Sequence, residues 1–91
     1  MIGNVSGMAS VLLIEDDQRI RESLANRLAE RGHSVESVAK AMDGVERAVS
    51  GGFDAVVLDL GLPDLDGFDA LQMIRAVSEI PVIVATARDD E

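Results

Sequence analysis

Ninety-one residues make one small domain at most, so a multidomain enzyme is excluded at the outset. Seventeen Asp and Glu against eight Lys and Arg leave a formal charge of -9, which repels nucleic-acid phosphates and anionic lipid and argues against direct binding to either. At 47% hydrophobic and 27% charged the chain is globular rather than disordered; its only aromatics are two Phe, and without Cys it has no disulfides, thiolate metal sites or cysteine nucleophiles.

Residues 1–9 contain neither a basic stretch nor an apolar run of signal length, and are read as an N-terminal arm ahead of a domain spanning 10–91. No segment reaches the roughly eighteen apolar residues of a membrane helix, so a cytoplasmic protein is expected. Val11-Leu12-Leu13-Ile14 is a short, wholly apolar run closed by Glu15-Asp16-Asp17, the pattern of a strand buried on both faces. From 18 to 31, Ile20, Leu24 and Leu28 recur every four positions, which predicts an amphipathic helix capped by Asp17 and ended by Gly32. Residues 35–38 alternate loosely, as an edge strand does. Met42, Val45, Ala48 and Val49 then mark a second helix, weakened by Gly44 and stopped by Gly51-Gly52. A second buried strand is predicted over 53–58, ending at Asp59. A loop with Pro63 follows, then a helix whose Ala70, Leu71, Ile74 and Val77 share one face, with Met42 and Met73 at core spacing. The last buried strand covers 81–85 and ends at Thr86.

The order β-α-β-α-β-α-β builds a parallel sheet through right-handed crossovers, with helices on both faces. Ligands in such sheets bind beyond the carboxyl ends of the strands. Glu15, Asp16, Asp17, Asp59 and Thr86 stand at those ends. If the two acidic strand ends are neighbours, at least three carboxylates converge and cannot all stay ionised unaided. A hard divalent cation with oxygen ligands resolves the repulsion, and Mg²⁺ suits such a cup. The bland alternative is that strand-end acids face solvent or cap the next helix; two such ends together with a terminal Thr weigh against it.

Three segments carry a family likeness. These are Val11-Leu12-Leu13-Ile14-Glu15-Asp16-Asp17, Val56-Val57-Leu58-Asp59-Leu60-Gly61-Leu62-Pro63-Asp64-Leu65-Asp66-Gly67, and Pro81-Val82-Ile83-Val84-Ala85-Thr86-Ala87-Arg88. In this order and spacing the chain resembles the CheY-like receiver domain of bacterial two-component response regulators, in wording nearest the OmpR/PhoB branch. The resemblance implies an α/β, flavodoxin-like doubly wound parallel sheet, incomplete, with about four strands and three helices. It implies that Asp59 accepts a phosphoryl group from a sensor histidine kinase. Glu15 and Asp16 match the acidic pair that holds Mg²⁺, Asp16 the more direct ligand, alongside Asp59 and the backbone carbonyl of Gly61. Thr86 matches the switch hydroxyl that turns toward the phosphoryl oxygens, and Ala87 the small residue that leaves room for donor and water. The implied role is that of a signalling phosphoacceptor rather than an enzyme, although such receivers assist their own phosphotransfer and dephosphorylation. DNA is then reached only through an appended effector domain, which these residues do not contain.

Two departures shape the expectations. The family's fifth strand ends in a Lys that pairs with the phosphoryl group; the sole lysine here is Lys40, after the second strand, so the catalytic Lys has no counterpart. A receiver truncated after strand 4 is expected, whose exposed strand 4 edge drives homo-oligomer formation. The rival reading is an assembly module that keeps the acidic cup without phosphotransfer. Other motifs fall away. His33 has no second His or Cys beside it. The Asp64-Leu65-Asp66-Gly67 run lacks the final Glu of a calcium loop, and it does not directly end a strand as the similar motif of haloacid-dehalogenase-type phosphatases does.

Overall fold

A computed structural model describes residues 8–59 and 61–85. The chain runs β1 (Ser10–Ile14), α1 (Gln18–Glu30), β2 (Ser34–Val38), α2 (Ala41–Ser50), β3 (Ala55–Asp59), α3 (Gly67–Val77) and β4 (Val82–Ala85). All strand pairings are parallel, in the order β2-β1-β3-β4. This is the incomplete flavodoxin-like α/β sheet expected from the alternation of apolar runs and amphipathic helices. The two wholly apolar runs, β1 and β3, hold the middle of the sheet, and the weakly alternating β2 lies at an edge.

From β1 the chain moves outward to β2, then crosses back to β3 on the other side, so the winding reverses between β1 and β3. Ligand crevices form outside the carboxyl ends of strands at such a reversal. The register pairs Ile14 with Leu58, which brings the next residues, Glu15 and Asp59, level with each other. Asp59 in turn pairs with Ala85 of β4.

Side chains alternate across the sheet, and one face holds most of the core. Leu12, Ile14, Val56 and Leu58 point toward α2 and α3, meeting Ala41, Val45, Ala48, Leu62, Ala70 and Ile74 in one buried cluster. Each Leu or Ile fully buried there contributes about 1.5–3 kcal/mol relative to its exposed state. Helix α1 packs against β1 and β2 and has no fully buried residue: Ile20, Leu24 and Leu28 are half-buried. It begins at Asp17, whose Oδ1 accepts from the backbone N–H of Arg19 (2.9 Å) and Ile20 (3.1 Å), the cap expected from sequence. It ends in a Schellman turn. Gly32 N–H donates to the Ala29 carbonyl and His33 N–H to that of Leu28, with Gly32 at φ 93°.

Three expectations are corrected. Gly44 is not simply a weak point of α2: a Cβ there would overlap Cδ1 and Cγ1 of the fully buried Ile14, so the glycine lets the helix backbone approach β1. Met42 and Met73 are not core residues, at 43% and 39% exposed, and Val49 and Val77 on the same helices are also exposed. Periodicity marks an apolar stripe wider than the face the sheet can cover. Strand β4 is likewise not a buried strand, since Ile83 is 56% and Val84 42% exposed at the open end of the sheet.

Candidate functional site

The carboxyl ends of β1 and β3 bring Glu15, Asp16 and Asp59 together. One carboxylate oxygen from each lies within 4.8 Å of the others. Glu15 and Asp59 are buried, at 5% and 6% exposed, and Asp16 is open to solvent. The cluster is therefore a cup with two acids on its floor and one at its rim. Asp17, third in the acidic run, turns its carboxylate to the α1 amides instead. The helix geometry thus separates cap from cup within Glu15-Asp16-Asp17 as the sequence led us to expect.

Burial pushes the Glu15 carboxyl up from its ordinary range, opposed by the Asp17 N–H that donates to Oε2 at 3.1 Å, while the neighbouring Asp59, Asp16 and Asp17 charges raise it further. A buried carboxylate facing two others lacks a counter-charge within the cluster. Oxygen-only, carboxylate-rich donors suit a hard cation such as Mg²⁺, which would relieve both the repulsion and the desolvation. The residues fit that ion in kind. Gly61, whose carbonyl is the fourth expected ligand, lies two residues past Asp59 in the loop before α3 and is half-buried. Thr86 and Ala87 fall outside the described residues.

Two residues that sequence reasoning passed over shape the surroundings of the cup. Arg21, one turn into α1, donates through Nη1 to the backbone carbonyls of Glu15 (3.0 Å) and Asp16 (3.2 Å), bracing the acidic loop from behind. Asp64, in the loop after Asp59, accepts from the first two amides of α2, Ala41 N–H at 2.8 Å and Met42 N–H at 3.1 Å. The only sequence hint of the second was the unsuitable Lys40 at the cap position of α2, which makes no side-chain capping bond. Asp66 caps α3 through the Phe68 amide at 2.8 Å, so the acids that imitate a calcium loop are engaged as helix caps. His33 accepts the Ala9 N–H through Nδ1 (3.1 Å), a structural contact.

A parallel sheet with its acids gathered at the winding reversal defines an α/β protein with an acidic crevice at the carboxyl ends of its central strands. The signature of the response regulator receiver domain matches residues 11–91, and the chain belongs to that family. It is 42% identical over 84 residues to the transcriptional regulatory protein AfsQ1 of Streptomyces coelicolor, covering 92% of this chain and 37% of that protein. It is 39% identical over 79 residues to HprR of Escherichia coli, covering 87% and 35%. The chain thus spans little more than a third of the curated relatives it matches. Among solved structures it superposes on the non-phosphorylated HemR receiver domain of Leptospira biflexa with a TM-score of 0.80 at 35% identity, covering 90% of this chain and 67% of that one. A CheY-like receiver from Methanospirillum hungatei gives a TM-score of 0.85 at 25% identity, covering 91% and 67%. Receivers of this family bind Mg²⁺ at an acidic site, and this chain shows an acidic cluster of Glu15, Asp16 and Asp59.

Proposed function

We propose that this chain is the phosphoacceptor receiver of a two-component phosphorelay, taking a phosphoryl group from a sensor histidine kinase onto Asp59. The observation that carries the reading is the buried Asp59 carboxylate at the end of a central strand, within reach of Glu15 and Asp16. Its Oδ attacks phosphorus as the P–N bond to a kinase phosphohistidine protonated at its other ring nitrogen breaks, leaving an acyl phosphate on Asp59 and a neutral imidazole on the kinase. Transfer of this kind needs positioning and charge neutralisation more than covalent assistance. Glu15, Asp16, Asp59 and the Gly61 carbonyl would hold Mg²⁺, which would supply that neutralisation when bound. The chain's own part is to fix the acceptor on a rigid strand, exclude bulk water from it and hold the metal ligands at its side. Thr86 serves as the switch hydroxyl and Ala87 as the small neighbour. The phosphoryl group adds roughly -1.5 to -2 charges, enough to bias a two-state loop.

Residues 10–91 form the N-terminal part of the receiver, with 1–9 an arm ahead of it. The names of AfsQ1 and HprR support an output in transcription, exerted through an effector domain outside these residues, because a chain of net charge -9 is unsuited to DNA. A cytoplasmic location fits that role; among the described residues no helix is long and apolar enough to cross a membrane. The outer edge of β4 is the proposed surface for a second copy. Among the described residues it pairs with β3 on one side only and carries Ile83 and Val84, whereas the opposite edge, β2, presents Ser34, Glu36 and Ser37. Light scattering that finds a monodisperse monomer at high concentration contradicts the self-association.

Intact mass after incubation with acetyl phosphate, with and without Mg²⁺, tests the phosphoacceptor reading. The expected result is a single phosphoryl increment that requires Mg²⁺ and is absent from Asp59→Ala. No increment on folded protein overturns it in favour of an assembly module that keeps the receiver shape without the chemistry.

A further inference from the structure

Helix α2 begins without a cap of its own. Lys40 occupies the cap position in extended backbone (φ -120°, ψ 145°) and contributes no side-chain hydrogen bond. The first intrahelical bond runs from Gly44 N–H to the Lys40 carbonyl at 3.0 Å, which leaves the preceding amides to find partners elsewhere. Two of them find Asp64. Its Oδ1 accepts from Ala41 N–H and its Oδ2 from Met42 N–H, across 23 and 22 residues of chain. Both oxygens of the carboxylate are used, so the loop after β3 is fixed in orientation as well as in distance from α2. These same bonds hold the Asp64 carboxyl below the ordinary carboxylate range, the Ala41 amide contributing most.

That loop runs from the end of β3 to α3. Leu62 is buried in the core cluster, Leu65 packs against it, and Asp66 caps α3. Asp64 is the lateral tether, joining the loop to a helix whose Gly44 lies directly against Ile14 of β1. Gly61, three residues before Asp64, sits between this anchor and Asp59. The segment is thus held at Asp59, Leu62, Asp64 and Asp66, on either side of Gly61.

We infer that Asp64 is a positioning residue for phosphoryl acceptance, clamping the loop that carries Gly61 to the N-terminus of α2. The inference rests on the phosphoacceptor reading of Asp59. It assigns Asp64 no contact with metal or phosphate; the residue acts by fixing where the Gly61 carbonyl stands relative to Asp59. Removal of a group that orients a ligand lowers metal affinity or activity by roughly 10–100-fold.

The test compares wild type with Asp64→Ala, Asp64→Asn and Val45→Ala, the last a core substitution in the same helix that destabilises while leaving the Asp64 carboxylate in place. Each is followed for Mg²⁺ affinity, by titration of backbone amide signals, and for the rate of phosphorylation by acetyl phosphate, read by intact mass. Asp64→Ala is expected to lose about tenfold in both, the low end of that range. Asp64→Asn, which keeps one acceptor oxygen, is expected to recover part of the loss, and Val45→Ala to match wild type in both while unfolding earlier. Wild-type Mg²⁺ affinity and phosphorylation rate in Asp64→Ala overturn the inference and leave a cap that only stabilises α2. An equal loss in Val45→Ala overturns it as well, by assigning the effect to general loosening. A wild type that takes up no phosphate is a failure of the underlying reading and is seen before any variant is made.

Discussion

The two faces of the sheet are covered unequally. On one, α2 and α3 bury seven of their residues between them and close over Leu12, Ile14, Val56 and Leu58. On the other, α1 spans thirteen residues and buries none completely, although Val11 and Leu13 beneath that side of the sheet are buried. A groove of about 500 Å³ opens along α1, lined by Ile20, Leu24, Ser23 and Arg27 among others. The difference teaches where the site takes its rigidity. Glu15 and Asp59 continue strands whose side chains are locked by the α2/α3 core, and the Asp64 tether also reaches that layer. Helix α1 instead is held at its first turn, by the Asp17 cap and by Arg21 on the carbonyls of the acidic loop.

The largest expected contrast is between equivalent truncations on the two faces. Ile74→Ala is expected to cost about 2–5 kcal/mol, as fully buried aliphatics do. Leu24→Ala on half-buried α1 should cost about 1 kcal/mol, the centre of the range for point substitutions. Urea unfolding followed by far-UV circular dichroism reads both, since the chain has no Trp or Tyr. Equal costs would mean that α1 is as deeply engaged as α3 and that the asymmetry is wrong.

Gly44→Ala sharpens the same point within α2. Helix propensity alone favours Ala by about 1 kcal/mol, yet the added methyl meets Ile14, and overpacking of this kind costs about 1–3 kcal/mol. Net destabilisation in the same unfolding assay is expected. A more stable variant would show that α2 has slack against β1.

A smaller effect should appear in the pH dependence of stability. The folded-state pKa of Glu15 is raised, burial first, then the neighbouring acids. Between the unfolded and folded values the folded protein binds the extra proton, so stability falls as pH rises through that window and the loss persists above it. Glu15→Gln, neutral at every pH, should therefore melt higher than wild type at pH 7 without Mg²⁺, and the gap should close below the unfolded carboxylate value. Mg²⁺ should narrow the gap at pH 7 by stabilising the wild type. If the two proteins show the same pH profile, the charge on Glu15 is not a burden on the fold.

How much of this was legible in the sequence follows from how local each cause is. The apolar runs before Glu15 and within 55–58 marked the two central strands because burial on both faces leaves no room for alternation. The acidic ends marked the cup, and Asp17 was legible as a cap because it immediately precedes a helical stripe. Exposure of Met42, Met73, Val49 and Val77 was not legible, because a helical period shows which residues align without showing how wide a surface awaits them. Gly44 read only as a weakness of α2 because its partner, Ile14, lies thirty residues away. Asp64 was weighed only within the Asp64-Leu65-Asp66-Gly67 motif likenesses for the same reason: the amides it caps belong to another element. Relations across the sheet decide these cases, and no window of sequence holds both members.

In the proposed receiver, Glu15, Asp16 and Asp59 form one cation site while Asp17 belongs to α1. A Mg²⁺ titration followed by backbone amide resonances, run on wild type, Asp16→Ala and Asp17→Ala, tests it most directly. Saturable shifts centred on the ends of β1 and β3 and on Gly61 are predicted, with affinity falling much further in Asp16→Ala than in Asp17→Ala. Equal affinities in the two variants, or shifts spread evenly over the acidic surface, would contradict the claim.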